Sequence, residues 1–371
     1  MSLKSQSTTR WLAALLSCAA SASQAQSIWP PQPTALSGQV GDYQRMTCPK
    51  RVPPPYSGPL LIDSKYDQGD ASKSTLSATQ SRQSREIHAR LSEYSQRLAQ
   101  FADYYLMADQ PQQAAAGLAC LDQWLQTWAV AGALQSREAS KTGIAARKWS
   151  LAAIASTLLK TQALSGGQPP LTPEHRQWLQ RLAELVIEDY SPRQQPGFAY
   201  FNNHDYWAGW AVAATGMLLD RPDYIAWGER NFRQALGQIS PSVHGDYAYL
   251  PNELARGRLA ANYTHYALVP LMLLAESSQR NGPGLSAADN AKLQQLANFA
   301  VRSVLAAGSL PELDGQAQEA VPVHKMTWLL PFLSRYPQHA LARQLYQAEN
   351  AEVDAYSQIG GRIKPLYPAL P

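Results

Sequence analysis

Residues 91–105 read Leu-Ser-Glu-Tyr-Ser-Gln-Arg-Leu-Ala-Gln-Phe-Ala-Asp-Tyr-Tyr, and the apolar members Leu91, Tyr94, Leu98, Phe101 and Tyr105 recur at spacings of three and four. That is the period of one face of an α-helix. Working outward, similar patterns cover about 113–134, 142–164, 174–189, 206–219, 223–238, 260–279, 286–307, 322–334 and 338–357. Pro and Gly clusters separate them: Gly166-Gly167 before Pro169-Pro170, Pro192 to Gly197, Pro241, and Asn281-Gly282-Pro283-Gly284. No alternation of period two is long enough for a sheet, and there is no Gly-rich phosphate loop. The expectation is an all-α protein of ten or so helices. Serial antiparallel pairs with short connections favour an α/α toroid over a helical solenoid, because no fixed-period repeat is present.

Ahead of the helices the chain is different. From Gln26 to about Gly58 it is rich in Pro and polar residues, including Pro30-Pro31 and Pro53-Pro54-Pro55, which predicts an extended arm. Residues 62–80 hold Ser, Asp, Gly and Lys with little apolar content and predict a mobile loop of a length that is often functional. At the start, Lys4 and Arg10 precede the apolar run Trp11 to Ala20 and the small residues ending at Ala25. That order predicts a signal peptide over 1–25 and export to the periplasm, with a lipid anchor on Cys18 as a minor alternative. The remainder, 26–371, is expected to be a single domain.

At 371 residues with 45% hydrophobic content, ten Trp and eighteen Tyr against six Phe, the chain can build a large core and still present rings at an amphipathic surface. Its net charge is +4, and losing Lys4 and Arg10 with the leader leaves +2. This suits a cleft for a polyanion and does not resemble a nucleic-acid binder. No later stretch is long and apolar enough for a transmembrane helix. A monomer is expected. Cys48 and Cys120 remain in the exported chain; in an oxidising compartment they are expected to form one disulfide, two buried thiols being the other reading.

Two short segments carry the chemistry. Asn202-Asn203-His204-Asp205-Tyr206-Trp207 sets two amides and an imidazole before an apolar helical run, and Arg256 and Tyr263 are seven residues apart, two turns on one helical face. Consider a polymer of uronic acids linked through O4. Removing the C5 proton beside a carboxylate requires that carboxylate to be neutralised. Asn203, His204 and Arg256 offer an amide donor, an imidazole donor and a fixed guanidinium. Tyr263 can then act as base at C5 and acid at O4 if nearby positive charge, from Arg256 and Lys65, lowers its pKa. In mannuronate and glucuronate the C5 hydrogen and the C4 oxygen leave from one side, so a single phenol can serve both. In guluronate they leave from opposite sides.

Each residue has a plainer use. Asn202 and Asn203 could cap the helix, with Asn202 capping while Asn203 binds. Trp207 and Trp210 could be core or a sugar platform, and Arg147-Lys148-Trp149 could line a cleft or place surface charge beside a buried ring. His204, His265 and His324 show no ligand spacing, so no metal and no cofactor is expected.

The chain resembles the alginate lyases of polysaccharide lyase family five. The matching segments are Cys48-Pro49, Ser64-Lys65-Tyr66 with Asp70-Ala71, Arg147-Lys148-Trp149-Ser150-Leu151-Ala152-Ala153-Ile154, Asn202 to Trp207, and Leu250-Pro251-Asn252-Glu253-Leu254 leading to Arg256 and Tyr263. The resemblance implies an incomplete α/α toroid and β-elimination on mannuronate-rich alginate. It implies Asn203, His204 and Arg256 at the carboxylate, Tyr263 as base and acid, and Lys65 with Tyr66 as a lid. Asn202, Trp207, Arg147, Trp149 and His265 are further candidates for substrate contact. Family members often carry His-Asn after the catalytic Tyr, whereas Thr264-His265 follows Tyr263 here, which leaves a glucuronan lyase as the alternative substrate reading. Outside the class stand a toroid glycoside hydrolase, for which Glu253 and Asp246 would be the carboxylates unless Glu253 braces Arg256 or Arg258, and a non-catalytic polyuronate-binding protein.

Overall fold

The computed structural model describes residues 24–371 apart from Pro196, Ala351 and Pro371. The expected leader, save its last two residues, and the anchor alternative at Cys18 lie outside the described residues. The helices begin where small polar side chains can accept from the first free N–H groups. Ser81 caps α1 (Arg82–Met107), Ser140 caps α3 (Lys141–Ser165), and Thr172 closes a capping box on α4 (Pro173–Tyr190). Asn202 does the same for α5 (Asn203–Leu219), and Ser286 for α9 (Ala287–Leu305). Between these lie α2 (Pro111–Val130) and α6 (Pro222–Gln238), each with Pro in its first turn, then the short α7 (Pro251–Leu254) and α8 (Ala260–Asn281).

Consecutive helices pack as antiparallel hairpins, α1 with α2, α3 with α4, α5 with α6 and α8 with α9. Side to side, α1, α3, α5 and α8 form an inner row, and α2, α4 and α6 cover it from outside. This is the expected α/α toroid. Burial follows from the layers: α1 shows one apolar stripe, whereas α5 is packed on all sides, with Trp207 and Trp210 fully buried. Burying such a ring stabilises the fold by about 2–3 kcal/mol. The α5/α6 contact is close because it is made by Gly209 and Gly228; a Cβ at Gly228 would stand 2.7 Å from the Gly209 carbonyl oxygen. Alanine there would force the two helices apart.

The arm and the C-terminal segment close the outside. Trp29 is buried and donates to the Tyr367 hydroxyl at 3.1 Å, and Gln32 and Thr34 donate to the carbonyls of Ala163 and Leu164 at the end of α3. Cys48 and Cys120 are joined in a disulfide, tying the arm to α2 as expected.

Three expectations change. Residues 62–80 are an ordered hairpin, with Tyr66 bridged to Leu76, Asp67 donating to Thr75 and Ser77 to Lys65. Its tip is knotted by the Asp70 carboxylate, which accepts from the Ser72 hydroxyl at 2.7 Å and from the amides of Ser72, Ser74 and Thr75 at 2.8–2.9 Å, and is held well below the usual carboxylate range by the Ser72 hydroxyl first and then by the amides. Polar side chains replace the missing apolar ones as its internal glue. The helix expected over 322–334 divides into a 3-10 turn, Val323–Met326, and α10 (Leu329–Arg335). The one expected over 338–357 is only α11 (Ala340–Ala348); beyond it Ala355–Tyr356 pairs with Gly361–Arg362 in a minimal ladder, where Gly360 and Gly361 take left-handed φ of 91° and 87°.

Candidate active site

The first turn of α5 is fixed from three directions. Asn202 spends its side chain as the cap, accepting from the His204 amide at 3.0 Å, so the capping reading holds for it. Asp205, fully buried, accepts from the Asn202 amide and from Arg193 through two bonds of 2.6 and 2.8 Å. Asn203 faces Glu253 of α7. Its amide nitrogen donates to both carboxylate oxygens at 3.0 and 2.9 Å, and its backbone N–H adds a third bond at 2.8 Å. Asn203 Oδ1 is left buried without a partner. The amide expected as a donor to substrate is therefore occupied, and what Asn203 keeps free is an acceptor. Glu253 braces Asn203 rather than Arg256 or Arg258, and its pKa is pushed up to about 7 by burial against the pull of those bonds and of Arg256.

His204 follows Asn203 and is partly exposed. Lys148 of α3 lies with its Nζ 2.7 Å from His204 Nδ1, and the Trp149 ring stands 5.5 Å from the imidazole. Burial, then the charges of Lys148, Arg193 and Arg256, hold the imidazole neutral well below its usual pKa.

Arg256 does not lie on the helix of Tyr263. It occupies the turn between α7 and the 3-10 segment Gly257–Leu259 that precedes α8, so the two-turn helical spacing is not what joins the pair. The chain folds back instead and stacks the guanidinium on the Tyr263 ring, 3.8 Å from its centre. The Tyr263 hydroxyl donates to that of Tyr66 at 2.8 Å, and Lys65 covers the Tyr66 ring at 4.8 Å. Arg256 also donates to the Lys73 carbonyl at 2.6 Å, and Arg258 to that of Ser74 at 2.5 Å. The hairpin 62–80 is thus latched over the site by the lid residues Lys65 and Tyr66 and by two arginines. Lys325 adds a fourth cation, with Nζ 5.5 Å from the Tyr263 ring centre; its pKa is lowered to about 8 by burial and by Lys65 and Arg256. Burial raises the Tyr263 phenol well above its ordinary value, and Arg256 opposes that rise.

Several candidates lie elsewhere. Arg147 is buried in the seam between α3 and α4, donating to Asp189 at 2.7 Å, to the Leu134 carbonyl at 3.1 Å and to the Ser136 carbonyl. It does not line the cleft. Trp207 is core, packed on Tyr266 and Tyr356. His265 is fully buried, accepting at Nδ1 from the Trp328 indole at 3.0 Å and donating at Nε2 to the Ala300 carbonyl at 2.9 Å. Trp149 stays a cleft residue: it borders a recess of ≈160 Å³ with His88, Ser92, Ser95 and Gln96, and its Nε1 has no partner. The sequence reading weighed Lys148 only within Arg147-Lys148-Trp149 and did not single it out, and it passed over Arg193 and Lys325. Lys148 sat inside a quoted motif but looked like a surface charge, and nothing local marks Arg193 or Lys325. Among the described residues no three His, Cys, Asp or Glu side chains converge to hold a metal ion. Asp246, offered with Glu253 as a hydrolase pair, is an exposed partner of Arg302 on α9.

A row of inner helices with cations and an aromatic lid gathered around one phenol defines a toroid protein of the polysaccharide lyase class. The family model described as alginate lyase matches residues 62–309. Alginate lyases of Pseudomonas aeruginosa PAO1 and Pseudomonas putida KT2440 are 31% and 30% identical to the chain, over 96% and 85% of it and 94% and 83% of their own lengths. The apo form of a variant of alginate lyase A1-III superposes with a TM-score of 0.65 over 93% of this chain and 89% of that one, at 18% identity, a likeness of fold. The chain belongs to the alginate lyase family.

Proposed function

We propose that this protein is an exported, single-domain lyase that cleaves mannuronate-rich alginate in the periplasm by β-elimination. Tyr263, ionised against the effect of burial with Arg256 supporting the negative charge, takes the C5 proton; the electrons form the C4–C5 double bond, the C4–O4 bond breaks, and the phenol returns the proton to O4. No water is consumed. His204 and Arg256 neutralise the sugar carboxylate as negative charge builds on it. Asn203 Oδ1 accepts from a sugar hydroxyl or from a carboxyl that has gained a proton. Lys65 and Tyr66 close over the chain.

One observation carries this reading. The Tyr263 ring is covered by the Arg256 guanidinium at 3.8 Å, in a cleft where Arg256 Nε is itself buried without an acceptor. Buried polar groups in folded proteins are nearly always paired, so an orphaned cationic donor beside a phenol calls for an anionic ligand. A substrate carboxylate supplies it. The hydrolase reading lacks support from a carboxylate pair, since Glu253 is engaged by Asn203 and Asp246 by Arg302.

The test is absorbance of the unsaturated product when the purified protein meets polymannuronate, polyguluronate and glucuronan in parallel. A rise on polymannuronate that vanishes in Tyr263→Phe supports the proposal. A preference for glucuronan keeps the mechanism and changes the substrate, and no rise on any polyuronate overturns the lyase reading in favour of a binding protein.

A further inference from the structure

The cation nearest the imidazole has no role in the chemistry above. Lys148 is fully buried, its Nζ 2.7 Å from His204 Nδ1 and about equally far from two rings, 4.8 Å from the centre of Trp149 and 5.0 Å from that of Tyr190. Burying an ammonium is costly, and the usual remedy is a carboxylate. The same helix shows that remedy one face away, where Lys160 is bonded to Asp103 at 2.5 Å. Lys148 has no such partner: Asp205 acts on it only through space, and both oxygens of Asp205 are held by Arg193. A buried charge whose one hydrogen-bonded contact is a ring nitrogen is spent on that ring.

We propose that Lys148 is a positioning residue that fixes the tautomer of His204. An ammonium has donors and no acceptor, so His204 Nδ1 must accept. The groups facing the imidazole are Lys148 and Trp149 from α3, Arg193 after α4 and Arg256 before α8, while Asp205, on its own helix, acts on Lys148 and Arg193. With three cations around it the ring stays neutral, and a neutral imidazole that accepts at Nδ1 carries its proton on Nε2. His204 therefore presents Nε2–H to the cleft as a donor of fixed direction, which is what a carboxylate needs. The tautomer follows from the contact once Lys148 carries its proton, a state that burial opposes and the Asp205 carboxylate favours; the use of Nε2–H for a sugar carboxylate rests on the lyase reading above.

The experiment compares wild type, Lys148→Met and Lys148→Gln, two substitutions of similar length of which only the amide can still donate. Nitrogen-15 shifts of His204 in the full chain should show Nε2 protonated and Nδ1 bare in wild type, and a mixture of tautomers in Lys148→Met. Product formation in Lys148→Met should fall by about 10²-fold in kcat, the scale of losing one oriented donor, with KM little changed, and Lys148→Gln should recover most of the loss. A protonated Nδ1 in wild type overturns the proposal. So do unchanged shifts and rate in a folded Lys148→Met, which would make Lys148 a packing residue. If wild type forms no unsaturated product, the lyase reading falls while the nitrogen shifts still decide the tautomer.

Discussion

Arg147 and Lys148 are adjacent on α3, both cationic and almost wholly buried, and they serve opposite regions of the molecule. Arg147 points into the seam with α4, where Asp189 and two carbonyls answer its donors. Lys148 points into the cleft, where it meets a neutral imidazole and two rings. A buried charge with a carboxylate partner holds a fold together; one without it stores electrostatic strain that a ligand can relieve. The cleft holds buried Lys148 together with the half-buried Arg256 and Lys325, none of them paired to a carboxylate, whereas Arg147 in the seam is answered by Asp189.

That contrast can be broken at either end. The largest effect is expected from Tyr263→Phe, which removes the phenol and should lower kcat by about 10³-fold or more while the unfolding temperature stays within a few degrees. In the seam, Arg147→Met leaves Asp189 without its partner and should cost about 3 kcal/mol in denaturant unfolding, with KM and kcat of the folded fraction unchanged. A loss of activity without a loss of stability in Arg147→Met would show that the seam is part of the site. In the cleft the pattern reverses: Arg256→Lys keeps the charge but not the stacked fork, and about 10²-fold of kcat/KM should go with little change in unfolding.

A pH profile sharpens the same contrast. The pKa of Lys325 is lowered to about 8, so its positive charge is present below that pH and is lost as pH rises through it. Losing a cation beside Tyr263 removes support for the phenolate and for the bound polyanion. The profile of kcat/KM, which reports the free enzyme, should therefore fall with a midpoint near 8, and Lys325→Arg should move that fall to higher pH. The smallest change is expected from Tyr66→Phe, which deletes one hydrogen bond to Tyr263 and should cost about five-fold in kcat.

Much of this architecture could be read along the chain because helices are local. The period at Leu91 to Tyr105 and the cap at Asn202 involve contacts within four residues, and their helices formed where the pattern placed them. The pattern failed after residue 321, where the short α10 and α11 pack on α8 and α9 and the ladder is held against α1, with the Arg362 amide donating to Asp103. In the site, His204, Arg256 and Tyr263 were singled out by their chemistry and Tyr66 by the resemblance, and the fold brings Tyr66, Arg256 and Tyr263 together. Arg193 was not, since its meaning comes from Asp205, reached through a turn. His265 misled for the mirror reason: an imidazole beside Tyr263 looks functional, yet a step of two residues on a helix turns it to the opposite face, against Trp328.

By itself the sequence determined the helical layers, the extended arm, the disulfide partners and the family, all of which depend on residue type and spacing. Only the tertiary structure decided which cation faces which neighbour. It set Arg256 on the Tyr263 ring across a turn, gave the Asn203 amide to Glu253, and sent Arg147 and Lys148 to different regions. The reason is physical: the state of a buried charge is set by what surrounds it in three dimensions, and a string of residue types does not contain those surroundings.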